Sequence, residues 1–285
     1  MTQSVAALES LTVAGVPLVL RHPTKRDEPA PLIVLWHGFG APNSERALAE
    51  ALPLNDVHAW KAYLGLPLFG ARLPEGGIEE IRRRQQEDFA LELFVPVAAG
   101  AREELPGVVR SLAKDYAIEL AGGIGIFGFS AGGAAAMLNL IESPVAIRTA
   151  ILCNTARNMA SAVSTVEKVL GKTYGWPEAA QLAAERIDPI ARAGEIARRE
   201  PAPSVLLLYS ENDEYFGAEH ATDLAGALQA AYRQAGNPRR ITAQMLSGMT
   251  HHFGPSAGQS GPTRISDAAP VRRAVAEWLG AEMEK

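Results

Sequence analysis

The chain has 285 residues, 47% of them hydrophobic and 21% charged, which is ordinary globular usage: global disorder is excluded and a sizeable core can be buried. A formal net charge of −5 with no basic block argues against nucleic acid as a partner, and the longest apolar runs fall far short of the ~20 residues that span a bilayer. Cys153 is the only cysteine, which excludes an intramolecular disulfide and suits a reducing compartment.

In chain order, Met1 to Leu11 lacks a basic head followed by an apolar stretch, so no secretory signal is expected and the cytoplasm is the expected location. Short apolar runs then read as strands at 16–20, 32–36, 60–64, 124–127, 149–152, 205–209 and 241–245. Several, such as LIVLW and VLLLY, are apolar on both faces, the pattern of central strands covered by helices on both sides. Helical spacing fills 44–51, 103–116, 131–141, 218–235 and 271–279. The alternation predicts a single α/β domain with a mostly parallel sheet.

Two segments break the rhythm. Residues 70–90 begin rich in glycine and proline and become charged, and Arg82, Arg83 and Arg84 read as a solvated helix face rather than a binding patch. Residues 155–200 exceed a plain crossover and carry helical pieces at 160–170 and 177–186. They read as a small helical cap beside the site, or else as extra packing on the sheet edge.

Gly128-Phe129-Ser130-Ala131-Gly132 matches G-x-S-x-G, follows an apolar strand and precedes a helical run. A serine on a sharp strand-to-helix turn sits in a strained backbone conformation, where side chains two positions either side would collide. The same pattern recurs around Ser256, but its surroundings have loop composition, which leaves Ser130 as the candidate nucleophile. His37-Gly38-Phe39-Gly40 follows the strand at 32–36, so the backbone N–H groups of Phe39 and Ala131 are the candidate oxyanion donors, with His37 a structural hydrogen-bonder.

In the chain order serine, acid, histidine, the acid should follow the strand at 205–209. Asp213 is the candidate there, with Glu211 and Glu214 as rivals. The base should follow the strand at 241–245, where His251 is favoured and adjacent His252 is the alternative. His22, His58 and His220 lie elsewhere and read as surface or packing residues; no third residue completes a metal-ligand spacing with the paired histidines. Phe39, Phe129 and Met249 are candidates for an acyl pocket or equally for core.

Taken together, HGFG at 37–40, GFSAG at 128–132, YSENDEYF at 209–216, GMTHHF at 248–253 and APVRRAVAEWL at 269–279 resemble the α/β-hydrolase superfamily, in its dienelactone-hydrolase-like and prolyl-oligopeptidase-like branch. Two departures matter: dienelactone hydrolases typically carry a cysteine where Ser130 stands, and the related peptidases carry a large additional N-terminal domain for which these residues leave no room. The resemblance implies cofactor-free hydrolysis of a carboxylic ester through an acyl-enzyme, on a small-molecule substrate, by a monomer or homodimer. A peptidase, amidase or acyltransferase on the same three residues, and a non-catalytic binding module of the same fold, are the rival readings.

Overall fold

The computed structural model describes residues 8–25, 28–237, 241–255 and 264–283; Ser256, the serine of the second G-x-S-x-G match, lies outside them. The strands of the main sheet are β1 (Leu8–Val13), β2 (Val16–Arg21), β3 (Ala30–Trp36), β4 (Trp60–Leu64), β5 (Ile118–Glu119), β6 (Ile124–Phe129), β7 (Ile147–Cys153), β8 (Ser204–Asn212) and β9 (Ile241–Thr250). Their order is β1-β2-β4-β3-β6-β7-β8-β9, with the short β5 beside β3. From β4 to β9 every pairing is parallel, whereas β1 and β2 are antiparallel additions at one edge.

Composition explains that split. β6 and β7 are buried almost throughout, as strands covered on both faces must be, while β1 (LESLTV) is mostly half-exposed with exposed positions at Ser10 and Thr12. The edge strand β1 was not foreseen, because its apolar residues alternate with polar ones and form no continuous run.

The helices are α1 (Glu45–Ala51), α2 (Gly77–Phe89), α3 (Val95–Asp115), α4 (Ala131–Glu142), α5 (Met159–Leu170), α6 (Glu178–Arg186), α7 (Ala193–Ala197), α8 (Ala218–Gln234) and α9 (Ala269–Met283). They cover two apolar cores, one on each side of the sheet; Val34 and Ile126 face one, Ile33 and Phe127 the other. α3 starts eight residues before the helical spacing expected from 103, because Pro96 falls in its first turn, where a missing N–H costs nothing. A single π turn, Ala90–Phe94, joins α2 to α3. A small second sheet pairs β10 (His252–Phe253) with β11 (Ile265–Ser266). No helix among the described residues is long and apolar enough to cross a membrane.

The segment 155–200 divides between two environments. α5 lies beside the mouth of the sheet and lines a cleft there, whereas α7 buries Ala193, Ile196 and Ala197 in the core and packs against α8.

Candidate active site

The carboxyl ends of β3, β6, β8 and β9 converge, and the loops that leave them carry the chemistry-bearing residues, the usual place for a site in a parallel sheet. β6 ends in the turn that carries Ser130, whose φ of 51° and ψ of −113° lie where L-residues are strained, on the order of 1–3 kcal/mol. Glycine makes the turn feasible. A Cβ on Gly132 would lie 2.5 Å from the Trp36 carbonyl oxygen, and one on Gly128 would strike the Gly132 carbonyl. The backbone is locked from the other side too, since Ser130 N–H donates to the Cys153 carbonyl at 3.0 Å and the Thr155 hydroxyl donates to the Ser130 carbonyl at 3.2 Å.

Ser130 Oγ stands 3.0 Å from His251 Nε2, and His251 Nδ1 stands 2.8 Å from Asp213 Oδ2. A carboxylate only accepts, so Nδ1 carries the ring proton and Nε2 accepts from the serine hydroxyl. Asp213 Oδ1 accepts the backbone N–H groups of Tyr215 (2.8 Å) and Phe216 (2.9 Å). The Asp213 side chain is 0% exposed and that of His251 only 3%, so water competes little for these bonds.

The rival acids hold other positions: Glu211 accepts the Gly248 N–H at 2.8 Å, and Glu214 meets the His251 backbone N–H at 3.4 Å. His252 points away from Asp213. Its ring lies against Gly40, its Nδ1 has no hydrogen-bond partner among the described residues, and burial followed by the neighbouring His251 lowers its pKa to about 4. The ring is therefore neutral at pH 7.

Of the candidate oxyanion donors, Ala131 directly follows Ser130 and Phe39 lines the same cleft. Ala131 opens α4, where the first N–H groups of a helix have no intrahelical partner. The Phe39 N–H takes part in no hydrogen bond among the described residues, and the preceding turn is closed by Gly38 N–H donating to the Pro42 carbonyl at 3.0 Å. His37 holds this loop from within. Its Nδ1–H donates to the Gly38 carbonyl (2.8 Å) and its Nε2 accepts from the Leu66 N–H (3.1 Å). Full burial lowers its pKa to about 4, which keeps the ring neutral in that structural role.

Sequence reasoning missed several contributors. Asn154, just past β7, donates through Nδ2 to Ser210 Oγ (2.9 Å) and to the His251 carbonyl (2.8 Å), and accepts the Ser210 N–H (2.9 Å), tying the ends of β7, β8 and β9 together. No motif marks it. Tyr215 packs edge-on against the His251 ring. A cleft of about 370 Å³ opens above Ser130, walled by Phe39, Phe89, Phe94, Val97, Val166 and others. Of the three acyl-pocket candidates only Phe39 faces it; Phe129 and Met249 are buried core, because they alternate onto the face that packs under α9. Among the described residues no group of three His, Cys, Asp or Glu side chains could hold a metal ion.

No protein-family model and no curated protein matches the sequence. Solved structures do match in shape. TT1662 of Thermus thermophilus aligns with a TM-score of 0.66 at 18% identity, over 98% of this chain and 99% of its own. A truncated carbohydrate esterase from gut microbiota aligns at 0.60 and 16% identity, over 100% and 99%. The acylaminoacyl peptidase of Pyrococcus horikoshii aligns at 0.63 and 16% identity, over 99% of this chain but 42% of the peptidase. With its parallel sheet, covering helices and this likeness, the chain has the α/β-hydrolase fold.

Proposed function

We propose that the protein is a serine hydrolase that cleaves carboxylic ester bonds through an acyl-enzyme on Ser130. The observation that carries this reading is the continuous hydrogen-bonded chain from Ser130 through His251 to Asp213 at the floor of an apolar cleft. His251 takes the serine proton as Oγ attacks the ester carbonyl, and Asp213 stabilises the charged ring without accepting its proton. The N–H groups of Phe39 and Ala131 hold the oxyanion. His251 then protonates the departing alcohol, and water repeats the sequence to release the acid. The fold likeness to solved structures that include a carbohydrate esterase and a peptidase supports a hydrolase of this general type.

The test is hydrolysis of p-nitrophenyl esters and matched p-nitroanilides by the parent, Ser130→Ala and Ser256→Ala. The expected result is ester turnover that falls on the order of a millionfold in Ser130→Ala and is unchanged in Ser256→Ala. Near-normal turnover by Ser130→Ala would overturn the assignment. Cleavage of the anilides at rates equal to the esters would replace the ester reading by an amidase.

A further inference from the structure

Among the described residues, none that lines the cleft above Ser130 is Asp, Glu, Lys or Arg; the cleft's polar groups are Gln85, Ser130, Thr155, Thr165, Tyr215 and the two histidines. Asp213 lies behind His251 with no exposed side-chain surface. A charged substrate group entering here would leave water without a counter-ion to replace its hydration. The rim is apolar as well: Val169 is 65% exposed and Tyr215 39%, and both face the opening.

A second cavity of about 210 Å³ lies beyond the first, between α2, α5 and the loop at 172–175. Gln85, Phe89 and Val166 line both spaces, so these three side chains form the partition between them. Charge returns only on the far side, at Glu87, Glu167 and Lys172. Phe89 is held on the partition by a break in α2. The backbone leaves helical angles at Asp88 (φ −152°, ψ 83°), and Asp88 Oδ1 accepts both the Leu91 N–H at 2.9 Å and the Tyr174 hydroxyl at 2.7 Å.

We infer that the cleft takes an uncharged, apolar acyl chain, and that Phe89 and Val166 determine the chain length accepted. The inference rests on the esterase reading for what happens at Ser130, but the partition and the uncharged walls are independent of it. A short chain ends before the partition. A longer one passes between Phe89 and Val166 into the second cavity, where its end meets the charged far side at Glu87, Glu167 and Lys172.

The test measures kcat/KM for p-nitrophenyl esters from acetate to palmitate, together with p-nitrophenyl hydrogen succinate against its neutral pentanoate counterpart. The parent is expected to prefer medium chains over acetate and to disfavour the carboxylate-tipped ester at least ~10-fold. Val166→Phe should lower the long-to-short rate ratio by roughly 10–200-fold, and Phe89→Ala should raise it. Equal rates for all lengths and for both members of the charged pair, or ratios that neither variant moves, would overturn the inference while leaving the esterase reading intact. Calorimetric binding of p-nitrophenyl octanoate to Ser130→Ala separates the opposite case. Octanoate binding weakened by Val166→Phe, with no ester turned over by the parent, sustains the chain site and removes the esterase reading. No binding by the folded protein removes the chain site.

Discussion

The floor of the cleft is held by main-chain N–H groups together with a few buried polar side chains, whereas the outer face of its roof is held by exposed ion pairs. On the floor, Ser130 N–H, Gly38 N–H and the two amides on Asp213 are all paired, and Gly132 lies too close to the β3 carbonyls to accept a Cβ. The roof consists of α2, the π turn and α5. Its outer face is a lattice of ion pairs, with Arg83 meeting Glu80, Glu87 and Glu92 and Arg84 meeting Glu80 at 2.8 Å, while Phe89 and Val166 hang from its inner face. In the proposed reading the floor is where bonds are made and broken. The roof can change its lining without disturbing that geometry, because the two share few hydrogen bonds. In the proposed reading chemistry and selectivity are thereby separated in space.

Substitutions rank this difference. Asp213→Asn should have a large effect on rate at little cost in stability, about 10⁴-fold in kcat, because the amide favours the wrong ring tautomer; steady-state kinetics check it. A loss below tenfold would hand the role to another acid, Glu214 being the nearest rival. Gly132→Ala should abolish activity and lower stability by a few kcal/mol, since β3 must move to admit the methyl group. Thermal melting with a serine-reactive fluorophosphonate as reporter follows both effects.

The floor should also fail first in acid. His37 has a pKa of about 4 when folded against an ordinary 6.5, so between these values the unfolded chain binds a proton that the folded one refuses. Its contribution is complete above pH 6.5 and is lost as pH falls toward 4, by about 3 kcal/mol at ~1.4 kcal/mol per unit. His252 acts in the same direction. Denaturant melts at pH 7 and pH 4.5 should show the loss in the parent and a flatter dependence in His37→Gln.

The smallest effect belongs to the roof's outer face. Arg83→Ala removes surface ion pairs and should change neither ester turnover nor melting temperature measurably. A clear loss of activity there would show that the ion-pair lattice positions Phe89 and would join the two regions that the structure separates.

The sequence by itself determined the parallel strands of the sheet and the sharp turn at Ser130, and it pointed to Asp213 and His251 as the candidate acid and base. Each depends on rules that act within a few residues: apolar runs at strand spacing, glycines where a Cβ has no room, and a polar cluster directly after a strand. Adjacent His251 and His252 mark the limit of that reasoning. One-residue spacing turns their rings in different directions, and only the backbone turn between β9 and β10 brings His251 Nε2 to Ser130 while His252 rests on Gly40. The roof was hidden for a related reason. In IEEIRRRQQEDF the charges dominate the pattern, and nothing local announces that the chain breaks at Asp88 and aims Phe89 inward. Asn154 likewise gains its partners Ser210 and His251 from segments 56 and 97 residues away. Side chains whose role is set by distant neighbours carry no local signature, so the tertiary structure alone decided the walls of the cleft and the ties that hold its floor.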